Sequence, residues 1–129
     1  MNSTHDIAIS QIATVHAADW PALERLYAPH VRYRDPDGEL DGSAAVIEKL
    51  RAQSDGLPGW TYEVRRSFSD GDDGAVLEWT LMLPAETGTP LRLDVMTAYD
   101  IRDGHIVSER NYWDNVSLLT QLGLMPAGQ

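Results

Sequence analysis

Apolar residues recur at helical spacing three times in the first half of the chain. Ala8, Ile12 and Val15, with Ile7 alongside, mark one face of a segment from His5 to Ala18, with Ser3 or Thr4 available as its cap. Trp20, Leu23, Leu26 and Tyr27 form a second stripe behind Asp19, with Pro21 in a first turn that tolerates it and Pro29 as the stop. Ala44, Ile47 and Leu50 form a third, capped by Ser43 and ended by Gly56, Pro58 and Gly59. Between the second and third, Val31 to Asp35 reads as a strand and Pro36-Asp37-Gly38 as a turn.

Beyond Gly59 the period changes to two. Trp60 to Phe68 sets Trp, Tyr and Val against Thr, Glu and Arg, and Ala75 to Leu83 sets Ala75, Leu77, Trp79 and Leu81 against Val76, Glu78 and Thr80. Leu91 to Ile101 and Ile106 to Trp113 complete four strands, divided by a turn at 69–74, a loop from Pro84 to Pro90 and a hairpin turn at Arg102-Asp103-Gly104-His105. Leu118, Leu119 and Leu122 predict a short closing helix ended by Gly123. This order implies an α+β fold: three N-terminal helices on one face of a curved antiparallel or mixed sheet. Such a sheet wraps its helices as a cone with an apolar cavity at the wide end.

The length, 129 residues, fits a single domain spanning 1–129. Ten Lys+Arg against 20 Asp+Glu give a net charge of -10, which disfavours nucleic acid and anionic membranes as partners. The absence of cysteine removes disulfides, thiolate catalysis and iron–sulfur clusters. The four histidines, His5, His16, His30 and His105, share no spacing that converges on a metal, so neither a metal nor another cofactor is expected. No apolar run is long enough to span a bilayer, and the N-terminus lacks the basic-then-apolar order of a secretion signal, so the expected location is cytoplasmic.

Trp60, Tyr62, Trp79, Tyr99 and Trp113 are a strand-borne aromatic set suited to lining a cavity for a hydrophobic small molecule. Glu109, Asn111 and Trp113 share one face of the last strand, so a carboxylate and an amide accompany an indole. Asp114, of opposite parity, is placed to cap the closing helix.

Several fragments, in order, resemble the SnoaL-like polyketide cyclases of the nuclear transport factor 2-like superfamily. They are Tyr33-Arg34-Asp35-Pro36, Asp41-Gly42-Ser43, Thr87-Gly88, Asp103-Gly104-His105-Ile106-Val107, Tyr112-Trp113-Asp114 and Gln121-Leu122-Gly123-Leu124. The resemblance implies the cone fold, a homodimer formed through the outer face of the sheet, and cofactor-free proton transfer on a hydrophobic, carbonyl-bearing molecule such as a polyketide. Cyclases of this family place an acid/base Asp where this chain has Asn111. Limonene epoxide hydrolases, similar around Arg110 and Tyr112–Asp114, also want an Asp there, and an Arg-x-Asp that is missing from Ala75 to Leu83. Steroid Δ5-isomerases carry a base Asp before Pro, matching Asp35-Pro36, and oxyanion donors at the positions of Gln11 and Thr97. Asp35 is therefore the first candidate base, with Glu109 as a replacement for the carboxylate missing at 111. The alternative is a non-catalytic binding protein that has lost its acid/base.

Overall fold

The computed structural model describes residues 3–84 and 90–124. Helix α1 (Thr4–His16) starts at Ser3, whose hydroxyl accepts from the Asp6 N–H while the Asp6 carboxylate reaches back to the Ser3 N–H. This reciprocal pair satisfies two of the otherwise open donors of the first turn. Helix α2 (Trp20–Leu26) is capped by Asp19, with Pro21 in its first turn. It ends at Leu26, earlier than the apolar stripe implies, and Tyr27 is already extended. The cause is Pro29, which biases the residue before it away from helix. Strand β1 therefore covers Tyr27–Asp35 rather than 31–35.

A strand not anticipated from the sequence, β2 (Gly38–Asp41), turns back antiparallel on β1. Helix α3 (Ser43–Asp55) follows, with Gly42 rather than Ser43 in the N-cap position and no side-chain cap. Gly42 has φ of 94°, a region a side chain disfavours. Strands β3 (Thr61–Asp70), β4 (Gly74–Leu83), β5 (Leu91–Arg102) and β6 (His105–Trp113) run as antiparallel neighbours, and helix α4 (Asn115–Gln121) closes the chain. Asp114 caps α4 through the Ser117 N–H.

Among the described residues the six strands form one curved, unclosed sheet in the order β2-β1-β6-β5-β4-β3. The β1–β6 pair is parallel, which makes the sheet mixed. Residues Leu91, Leu93, Val95, Thr97, Tyr99 and Ile101 of β5 alternate inward, as the period of two requires. The main core joins α1, α2 and α3 to this face through Ile7, Ile12, Leu23, Val46, Leu77 and Ile106. A second cluster, Leu81, Leu83, Leu91, Leu93 and Val95, extends it toward Trp113, Leu118 and Leu122. Thr80, of outward parity, is nonetheless fully buried. Arg65, at the register break between Val64 and Arg66, donates to its hydroxyl, which donates in turn to Asp94. No helix among the described residues is long and apolar enough to cross a membrane.

Candidate active site

The two core clusters do not meet completely. Between the helices and the inner face of the sheet lies a cavity of about 310 Å³, mostly apolar, with Ile12, Val15, Leu50, Leu81, Leu93 and Val95 in its wall. Leu118 of α4 and Leu122 at its C-terminal cap close one side. Trp60, Trp79 and Trp113 also line it, and each indole N–H is tied to a protein acceptor: Ser54 Oγ, Thr97 Oγ1 and Asn115 Oδ1 respectively. The rings therefore offer apolar surface and no free donor.

One end of the cavity is polar. Glu109, Asn111, Thr97 and Gln11 line it. Glu109 is 1% exposed and, among the described residues, has no cationic partner. Its Oε1 accepts from the Tyr27 hydroxyl at 2.6 Å and its Oε2 from Asn111 Nδ2 at 3.0 Å. Behind these donors stand others. Thr97 Oγ1 donates to Asn111 Oδ1 at 2.7 Å and accepts from Trp79 Nε1 at 3.0 Å. Gln11 Nε2 donates to the Tyr27 hydroxyl oxygen at 3.1 Å, and Gln11 Oε1 accepts from Tyr99 at 2.6 Å. Two rows of hydrogen bonds, one from Tyr99 and one from Trp79, thus run in a single sense and converge on the Glu109 carboxylate. Burial lifts the Glu109 carboxyl from 4.5 to about 7, the Tyr27 and Asn111 hydrogen bonds pull it down, and the charge on Asp35 adds an upward push. Burial, followed by the Glu109 charge, holds the phenols of Tyr27, Tyr33 and Tyr99 well above their ordinary range, so all three remain donors.

Asp35 lies outside the cavity lining, behind Tyr33, with its side chain wholly buried. Its Oδ1 accepts from the Asp37 N–H at 2.7 Å, its Oδ2 from the Tyr33 hydroxyl at 2.7 Å and, more distantly, from Gln53. Lys49 Nζ, from α3, stands 3.2 Å from Oδ1 and 3.1 Å from Oδ2, and also pairs with Asp37 at 3.4 Å. A carboxylate so enclosed has no lone pair facing a ligand.

Of the residues singled out from sequence, Gln11, Trp60, Trp79, Thr97, Glu109, Asn111 and Trp113 meet at the cavity. Tyr62 does not line it, packing instead against His16, Trp60 and Trp79. Tyr99 is shut behind Gln11. The only proton of the Thr97 hydroxyl is committed to Asn111, which closes it as an oxyanion donor. Tyr27, which its spacing places in the second helix, instead opens β1 and donates to Glu109; Pro29 is the sequence signal for that strand. Thr87-Gly88 lies outside the described residues. Among the described residues no group of three or more His, Cys, Asp or Glu could hold a metal ion.

A family model for the SnoaL-like domain matches residues 10–109. The chain belongs to the SnoaL-like domain family. Solved structures agree on the nuclear transport factor 2-like fold at low identity. A nuclear transport factor 2-like protein of unknown function from Cytophaga hutchinsonii is 18% identical, with a TM-score of 0.75 over 92% of this chain and 96% of that one. A protein provisionally assigned as a SnoaL-like polyketide cyclase, from Shewanella putrefaciens, is 14% identical, with a TM-score of 0.79 over 97% and 88%. An LEH-like epoxide hydrolase from M. tuberculosis is 18% identical, with a TM-score of 0.75 over 92% and 88%. These likenesses establish the fold and leave the chemistry to the site. Comparison with curated protein sequences finds no match.

Proposed function

We propose that this SnoaL-like protein is a cofactor-free proton-transfer enzyme acting on a hydrophobic, carbonyl-bearing small molecule, with Glu109 as its acid/base. The supporting observation is a wholly buried carboxylate without a counter-ion among the described residues, lining a mostly apolar cavity, with its proton affinity raised to about 7. A base poised near neutral pH both takes and returns a proton readily. The Glu109 carboxylate would remove a proton from the carbon beside the carbonyl, leaving an enolate and a neutral Glu109. That proton would then return to carbon at the same or a conjugated position. Gln11 and Asn111 each keep one amide N–H beyond those already committed, and these are the donors available to the enolate oxygen. Asp35, first candidate on the Asp-Pro resemblance, takes a positioning role in this reading by fixing Tyr33, Lys49 and the β1–β2 turn.

The test uses 4-phenylcyclohexanone in heavy water, with proton NMR following loss of the signals beside the carbonyl. Exchange above the buffer rate is expected, rising with pH through about 7 as Glu109 ionises and level above it. Saturable binding of the ketone with no exchange at any pH would instead favour the binding-protein reading.

We also propose a homodimer, as the family resemblance implies, formed through the outer face of β3–β6. That face exposes Phe68, Met96 and Tyr112 at 45%, 43% and 52%. It carries both signs of charge, with Arg66 over the Phe68 ring and Arg110 paired to Asp100, so two copies related by a two-fold axis need not repel. Light scattering should give twice the 14.3 kDa chain mass, and Met96→Lys should shift it toward the monomer. A monomer at every micromolar concentration would remove this part of the proposal. A cytoplasmic location is retained as part of the same reading.

A further inference from the structure

The donors and acceptors at the polar end of the cavity are unequal. The Tyr27, Tyr33, Thr97 and Tyr99 hydroxyls each donate to a protein acceptor. The Trp79 indole donates to Thr97. Glu109, by contrast, accepts one hydrogen bond on each oxygen, half of what a carboxylate can take. Beside Oε2, at 3.0 Å, stands Asn111 Nδ2, which has a second N–H to give. The cavity therefore presents an acceptor and a donor side by side, with the acceptor negatively charged when ionised. Lys49, which pairs with Asp35 and Asp37 at one margin of the site, brings no free positive charge to offset it.

A ligand group that matches this pair must both give and take a hydrogen bond. A ketone only accepts, so it leaves the Glu109 lone pairs unmatched in an apolar cavity. A carboxylate brings a second negative charge into a buried site that already holds one, a heavy cost at low dielectric. A hydroxyl does both: its proton goes to Glu109 and its oxygen accepts from Asn111. The three indoles and the aliphatic wall supply the rest of the contact surface.

We propose that the cavity selects an apolar ligand bearing a hydroxyl group, seated with the hydroxyl between Glu109 and Asn111, and discriminates against carboxylates. The proposal builds on Glu109 as the working polar group of the cavity. It adds a second functional group to the substrate class: an alcohol or enol oxygen in addition to a carbonyl, whose oxygen then takes the remaining N–H of Gln11.

Calorimetry with three probes of one shape tests this: 4-phenylcyclohexanol, 4-phenylcyclohexanone and 4-phenylcyclohexanecarboxylate. At pH 8 the alcohol should bind at least about tenfold more tightly than either of the others, since a site built around a polar group penalises the analogue that leaves it unmatched. At pH 5.5 the protonated Glu109 becomes a donor, and the alcohol-to-ketone ratio should fall below about threefold. The other ionisable groups around Glu109 are Tyr27, Tyr33 and Tyr99, which keep their protons across this range, Asp35, which is paired with Lys49, and Asp37, which lines the same cavity and shares that lysine. In Glu109→Gln the ratio should be small at both pH values. A ketone or carboxylate binding as tightly as the alcohol at pH 8 would overturn the inference. Ketone exchange without alcohol preference leaves the base assignment standing and removes this inference. Alcohol preference without exchange does the reverse.

Discussion

Glu109→Gln is expected to lower ketone proton exchange by about 10²- to 10⁴-fold, the usual cost of losing a general base. It should also change how stability depends on pH. The carboxyl titrates at about 7 in the folded protein against 4.5 unfolded. Between those values the folded state binds more protons, so the Glu109 contribution to stability is fully present below pH 4.5. It declines as pH rises and levels off above 7. The full difference is about 3 kcal/mol. Gln cannot ionise, so the variant should lack this decline. Its absolute melting temperature is a poorer guide, because the new amide sets an N–H against Asn111 or Tyr27, both of which donate to Glu109. Thermal melts of both proteins from pH 4.5 to 8 would show the difference. Parallel curves would mean that Glu109 is not the buried titrating group, and unchanged exchange would end its role as base.

Lys49→Met should have a comparable effect on stability for the opposite reason. It removes the cation from a carboxylate whose side chain is 0% exposed, while Lys49 itself is 21% exposed. Breaking a buried ion pair at one partner costs about 3 kcal/mol, because the remaining charge stays out of water. With a urea dependence near 1.5 kcal/mol per molar, the midpoint should drop by about 2 M. Adding Asp35→Asn to Lys49→Met should recover much of the loss. The Asn oxygen still accepts from the Asp37 N–H or from Tyr33, and no buried charge remains. A single Lys49→Met variant as stable as wild type would show that the pair is not needed to bury Asp35.

Most of the fold was legible because its periods were unambiguous. β5 alternates inward over its whole length, and Ser3, Asp19 and Asp114 all cap helices. Tyr27 continues the stripe of Trp20 and Leu23 at helical spacing, yet one proline outweighs that pattern and Tyr27 opens β1. β2 escaped because Gly-Glu-Leu-Asp is too short and too exposed to alternate visibly. At the site, β6 parity brought Glu109, Asn111 and Trp113 together. The ranking of Asp35 over Glu109 came from a resemblance that carries no information about a counter-ion. Lys49 lies fourteen residues further on, and only the docking of α3 against β1 brings it to Asp35.

The buried hydrogen-bond rows also bear on how the chain assembles. They tie residue 11 to residue 99 and residue 27 to residue 109, contacts that close only after most of the chain has been ordered. Hydrophobic packing alone tolerates a helix that slides along its groove. The rows do not. If α1 docked one turn out of place, Ile7 or Val15 would stand where Gln11 belongs, and neither can accept from Tyr99 or donate to Tyr27. Each stranded buried hydroxyl costs about 1–3 kcal/mol. That penalty falls on the misdocked chain, so the polar row that points at the cavity also rejects the nearest wrong alignment of the first helix.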